Sequence, residues 1–120
     1  MTDNKLLGLC IIIDSYSRLC IIMHMLEIRQ TPAFTNWLAK LPDRNAQARI
    51  VARLRRFEIG NLGDVKPVGA GVMEARIDYG PGYRLYFVQQ GDVLIVMLCG
   101  GDKRTQRADI EKARKLAKEV

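Results

Sequence analysis

Histidine is almost absent from this 120-residue chain, with His24 as its single example. That excludes mechanisms needing two imidazoles. The three cysteines, Cys10, Cys20 and Cys99, are odd in number and widely spaced, with no C-x-x-C pair. They form neither a disulfide framework nor, with one histidine, a structural zinc site, and they suit a reducing cytoplasm. Cys99 closes an apolar run and reads as a small core residue. No apolar stretch reaches the ~20 residues of a membrane-spanning helix, and repeats and low-complexity segments are lacking. The expectation is a protein with no metal, no cofactor and no membrane.

What is present is positive charge. Nineteen basic residues stand against thirteen acidic ones, for a net +6. Such a balance favours a polyanionic partner, either nucleic acid or an acidic protein surface. The length holds one domain with a modest core.

Residues 1–24 differ from the rest. The apolar run Leu6 to Ile13 follows Lys5, is soon broken by Asp14 and Arg18, and leads to no small-residue cleavage site. Three readings stand: an extra strand or helix, a membrane-surface segment, or translated leader upstream of a start at Met23 or Met25. The last is favoured, because a self-sufficient pattern begins at Leu26. Removing 1–24 takes out Lys5, Arg18, Asp3 and Asp14, so the +6 is unchanged. The domain is placed at 25–120.

Within it, Leu26-Glu27-Ile28-Arg29 alternates as a strand halted by Thr31-Pro32. Phe34, Trp37, Leu38 and Leu41 recur at helical intervals, with Thr31 as cap and Pro32 in the first turn. Asp43 caps a longer helix to about Ile59, whose stripe Ala46, Ile50, Leu54 and Phe57 should pack on a sheet, and Gly60 is a left-handed stop. Residues 61–71 read as loop. Three strands follow at about 72–78, 83–89 and 93–99, divided by Gly80-Pro81-Gly82 and Gln90-Gly91-Asp92. Thr105 then caps a last helix with Ile110, Ala113, Ala117 and Val120 on one side. The order is β-α-α-β-β-β-α: an α+β fold, with an antiparallel meander packed against two helices.

Strand alternation sorts the side chains. If the Met73 and Leu85 faces meet the helices, Glu74, Arg76, Asp78, Arg84 and Tyr86 are presented together on the other face. The Gly100-Gly101-Asp102-Lys103-Arg104 segment brings Lys103 and Arg104 to the end of that face, and Lys66 approaches it. Cations around one or two carboxylates suit a phosphate in a strained transition state. The plainer reading is a solvated face with the cross-strand pairs Glu74–Arg76 or Asp78–Arg84. Gly100-Gly101 is by default a turn into the last helix. Arg49, Arg53 and Arg56 form a helical ridge, which is either a solvated or partner-binding face or a track for an RNA backbone.

The motifs Phe34-x-x-Trp37-Leu38-x-x-Leu41, Gly60-Asn61-x-Gly63-Asp64-x-Lys66-Pro67-Val68-Gly69, Gly71-Val72-x-Glu74-x-Arg76-Ile77-Asp78-Tyr79-Gly80-Pro81-Gly82-Tyr83-Arg84, Leu98-x-Gly100-Gly101-Asp102-Lys103 and Asp109-Ile110 resemble the RelE/ParE toxin superfamily. More narrowly, they resemble its phage-derived, HigB-like branch of "addiction module killer proteins". The resemblance covers about residues 25–120.

It implies a RelE-like, microbial-RNase-like fold and a type II toxin–antitoxin module. The toxin would cleave mRNA without metal, on the ribosome in relatives, and so inhibit translation and growth. The partner would be a helix-turn-helix antitoxin encoded beside it, with operator DNA met only through their complex. The resemblance implies Arg84 as the first phosphate contact, Lys103 or Arg104 as the next, and Arg76 as the third. Glu74, Asp78 and Asp102 are candidate bases, with lysine as a substitute. The chain departs from RelE-type enzymes in having Ile110 near their last-helix tyrosine, and from HigB relatives in lacking histidine outside the leader. Two alternatives follow: a ParE-like toxin that binds DNA gyrase, and a decayed toxin that binds only antitoxin.

Overall fold

The computed structural model describes residues 26–120. The readings of 1–24, with His24, Cys10 and Cys20, lie outside the described residues.

The first strand, β1 (Glu27–Gln30), is stopped by Thr31-Pro32. Proline fits the first turn of α1 (Pro32–Ala39), where its missing N–H costs nothing. Thr31 caps that helix by accepting from the Phe34 amide at 3.2 Å, and its hydroxyl donates to the Leu98 carbonyl at 2.6 Å. Asp43 caps α2 (Arg44–Glu58) through the amides of Asn45 and Ala46. Gly60, at φ +84°, ends it in the left-handed conformation expected.

Four antiparallel strands follow: β2 (Val65–Gly69), β3 (Val72–Ile77), β4 (Tyr83–Gln90) and β5 (Leu94–Asp102). The sheet order is β1-β5-β4-β3-β2, with β1 parallel to β5. A 3₁₀ turn (Lys103–Thr105) leads into α3 (Gln106–Ala117). The α+β class and the meander on two helices agree with the sequence reading.

The meander gains a strand where 61–71 was expected to be loop. Val65, Lys66 and Pro67 pair with Ala75, Glu74 and Met73. This segment lacks alternation strong enough to announce a strand, and side chains from two helices hold it. From α3, the Arg114 guanidinium donates to the Val68 carbonyl through Nε, at 2.9 Å, and through Nη2. From α2, Arg53 grips the residues just before it. Proline is tolerated because β2 is an edge strand.

The two faces of the sheet carry separate cores. Ala75, Ile77, Leu85, Phe87, Ile95 and Met97 pack with Phe34 of α1 and the α2 stripe Ala46, Ile50, Leu54 and Phe57. Val72, Tyr86, Val88, Val96, Leu98 and Cys99 pack with Ala113 of α3. Cys99 is buried as expected, and burial with the nearby Asp109 carboxylate pushes its thiol up to about 11. Val120 lies beyond the end of α3 and is exposed, so it does not join the apolar side read for that helix.

A bulge divides β5. Phe87 pairs with Met97 but Tyr86 pairs with Cys99, so Leu98 is the extra residue and side-chain parity flips after it. Gly100 thereby falls under α1 and Gly101 under α3. A Cβ on Gly100 would meet the Trp37 ring at 2.4 Å, and one on Gly101 would meet Asp109 Oδ2 at 1.8 Å. The two glycines are part of β5 rather than a turn, and each lets a helix approach one face.

Gly100→Ala should cost about 1–3 kcal/mol through overpacking, and adding Trp37→Leu should recover part of the loss in urea unfolding. An unchanged midpoint for Gly100→Ala would contradict this packing.

Candidate functional site

The face of the sheet opposite α1 and α2 is not uniformly open. α3 covers its middle and leaves one end free. Under the helix, Glu74 and Tyr86 are both 0 % exposed. Glu74 Oε2 accepts from the Tyr86 hydroxyl at 3.0 Å and from the Gln106 amide at 2.8 Å. Lys66 Nζ, on the neighbouring edge strand, stands 3.8 Å from Glu74 Oε1. Burial, and then the hydrogen bond to Glu74, push the Tyr86 phenol far above its ordinary range. The expected common presentation of Glu74 and Tyr86 with the arginines therefore does not occur, because the Ala113 side of α3 lies over them.

At the free end, Arg76 and Arg84 are direct partners across β3 and β4. They line a cleft of about 400 Å³ with Asp64, Asp78, the Gly80-Pro81-Gly82 turn and Lys103. Lys103 enters because β5 runs on to Asp102, beside Tyr83 at the start of β4. Arg76 is neutralised by Asp64, with Nε and Nη2 at 3.1 and 3.3 Å from its carboxylate oxygens. Neither of the ion pairs Glu74–Arg76, within β3, and Asp78–Arg84 is formed. Among the described residues, no acidic side chain pairs with Arg84 or Lys103, and Arg84 Nε is buried without an acceptor.

The other basic candidates are separated. Arg104 is exposed and pairs with Asp102 at 3.0 Å. That hydrogen bond is the main reason the Asp102 carboxyl lies below its ordinary range. Asp102 also takes the Arg104 amide, in a capping box with Thr105, so Thr105 serves the 3₁₀ turn and makes no side-chain cap to α3.

Arg49 and Arg56 are exposed on α2, but Arg53 leaves the expected ridge. It is 8 % exposed and donates to three backbone carbonyls: Leu62 at 3.0 Å, Asp64 at 3.0 Å and Arg76 at 2.7 Å. Burial lowers its pKa, against a smaller opposite effect of Asp64. Gly63, at φ +75°, arches over this guanidinium, and a Cβ there would lie 3.0 Å from Nη2. The sequence carried a signal for this burial. Position 53 is three residues after Ile50 and four before Phe57, at the edge of the buried stripe.

Tyr79, which alternation puts on the face of Met73, Ala75 and Ile77, packs against the α1–α2 core. Its hydroxyl donates to Asp43 Oδ2 at 3.1 Å, and the Arg49 guanidinium carbon sits 4.4 Å from its ring centroid. Among the described residues, no group of three or more His, Cys, Asp or Glu could hold a metal ion, and no helix is long and apolar enough to cross a membrane.

A model of the phage-derived Gp49-like proteins matches residues 36–119. An uncharacterized protein of Haemophilus influenzae is 48 % identical over 95 residues, covering 79 % of this chain and 96 % of that protein. A chain of the toxin–antitoxin complex RelBE2 from Mycobacterium tuberculosis is 27 % identical, with a TM-score of 0.46, over 66 % of this chain and 99 % of its own length.

Arg53→Lys keeps the charge but loses the fork that reaches three carbonyls. It should destabilise the fold by about 2–4 kcal/mol. Arg56→Lys, one turn away and exposed, should stay within about 0.5 kcal/mol of the parent. Equal unfolding midpoints for the two variants would refute the structural role of Arg53.

Proposed function

The chain belongs to the phage-derived Gp49-like family, and from that premise we propose that it is the toxin of a type II toxin–antitoxin module and cleaves mRNA without a metal ion. The observation that carries this reading is the pair Arg84 and Lys103, which share one cleft with no acidic partner among the described residues. Two unneutralised cations beside a turn form a receptor for a phosphodiester, and a guanidinium can hold two of its oxygens at once. The RelE-like, HigB-like motifs of residues 25–120 supply RNA as the polyanion.

The chemistry is the one that the resemblance to RelE-type toxins implies. The ribose 2′-hydroxyl attacks the adjacent phosphorus, the O2′–P bond forms and the P–O5′ bond breaks. A 2′,3′-cyclic phosphate and a 5′-hydroxyl remain. Arg84 and Lys103 stabilise the charge that grows on the non-bridging oxygens. Of the three candidate bases, Glu74 is sealed beneath α3 and Asp102 is held by Arg104 and the 3₁₀ turn. Asp78 lines the cleft and takes the 2′-hydroxyl proton. Water entering the open cleft protonates the leaving oxygen. Arg76, already matched by Asp64, orders the wall. The ribosome presents the message, and a helix-turn-helix antitoxin neutralises the toxin by covering the cationic end of the sheet.

Induced expression of the parent chain should arrest growth with loss of transcripts. Arg84→Ala combined with Lys103→Ala should abolish both effects while the thermal midpoint is kept. Full toxicity in that double variant would overturn the reading, and a DNA-damage response with intact transcripts would indicate a gyrase-binding toxin instead.

Asp78→Asn should lower the cleavage rate by about 10²–10⁴ while RNA affinity is preserved. Parent-like cleavage by Asp78→Asn would remove Asp78 as the base.

A further inference from the structure

The cleft does not end at Asp78. It shares Ile77 and Asp78 with a depression of about 200 Å³ that reaches Arg49 and Arg56 on α2. That depression shares Arg49 and Ala52 with a third, of about 450 Å³, bordered by Asn45, Ala48 and Tyr79. The three depressions adjoin through these shared residues and together mark a segmented groove from Lys103, around the end of β3, onto the outer face of α2.

The far end of the groove is built for a flat group. The Tyr79 hydroxyl is tied to Asp43, the residue that caps α2, so the ring is fixed to the helix start. Arg49 lies over that ring, 4.4 Å from its centroid, and is itself exposed. Stacking on an aromatic ring holds a guanidinium plane in place and leaves its second face to solvent. Ala48 and Ala52, four residues apart on one helical face, keep the floor beside it low. The Asn45 side-chain amide has no hydrogen-bond partner among the described residues and stands at the rim. A plane to stack on, a low floor and a free amide at the edge are what an unstacked nucleobase requires.

We propose that the Arg49–Tyr79 stack with Asn45 is a base-binding subsite for a nucleotide flanking the scissile phosphate, so that single-stranded RNA is held along the whole groove and read at that position. The inference rests on the RNA-cleaving reading above. Arg84 and Lys103 grip the backbone where it is cut, Arg56 follows the backbone between, and Arg49 seats a base through its plane rather than its charge.

The test measures binding of 2′-O-methyl RNA dodecamers, which lack the attacking hydroxyl, to the full chain by fluorescence anisotropy over a salt series. Arg49→Lys keeps the charge and loses the plane. It should weaken binding about fivefold or more with the salt slope unchanged. Arg49→Ala should show a comparable loss. Asn45→Ala should narrow the affinity differences among the four homopolymers.

Parent-like affinity for Arg49→Lys would overturn the subsite, because a plain electrostatic contact survives that exchange. If Arg84→Ala weakens binding while Arg49→Lys does not, the subsite alone fails. If the parent binds no RNA and the Arg84→Ala/Lys103→Ala protein remains toxic, the subsite and the RNA reading fail together.

Discussion

The buried guanidinium of Arg53 fixes the segment on which the cleft depends. Placing a charge beneath a helix carries a desolvation penalty, which appears as its lowered pKa. Three backbone carbonyls offset that penalty, and they come from two places in the chain: Leu62 and Asp64 before the edge strand, and Arg76 at the open end of β3. Arg53 therefore fastens a loop to a strand. The Asp64 carbonyl accepts at the same time from the Arg76 amide, and its carboxylate takes the Arg76 side chain. One residue of α2 thus sets where Asp64 stands, and Asp64 determines which cation of the cleft is neutralised.

The division between matched and unmatched charge gives the site its polarity. Arg76 and Arg104 each have a carboxylate within about 3 Å, whereas Arg84 and Lys103 have none among the described residues. Exposed ion pairs add little stability, so the pairs at Arg76 and Arg104 act mainly by removing those side chains from competition for an anion. The lining of the cleft carries Arg76, Arg84 and Lys103 against Asp64 and Asp78, and its excess positive charge lies beside the Gly80-Pro81-Gly82 turn.

The β5 bulge and the two glycines after it give the sheet its second cover. A regular strand would leave Gly100 and Gly101 on the opposite faces. With the extra residue, each backbone position without a side chain lies beneath a helix, Trp37 of α1 on one side and Asp109 of α3 on the other. Close approach of α3 removes Glu74 from solvent and leaves the cations as the exposed chemistry.

Periodicity and capping were legible in the sequence. Thr31-Pro32, Asp43 and Gly60 bounded the helices because local hydrogen bonding and left-handed geometry act within a few residues, and the α2 stripe followed from helical spacing. The cationic character of the Glu74–Lys103 region and the nearness of Arg84 to Lys103 were also readable, since strand alternation and a short connection determine both. The strand at Val65–Gly69, the burial of Glu74, the inward turn of Arg53 and the stacking of Arg49 on Tyr79 were not. Each depends on an element distant in sequence arriving over that residue: α3 over Glu74, the residues before the edge strand over Arg53, the start of α2 beside Tyr79. The chain by itself determined which residues are charged and which face of each element they share. Only tertiary structure decided which charges are satisfied and which remain free, because neutralisation depends on distances of a few ångströms between segments that local sequence does not bring together.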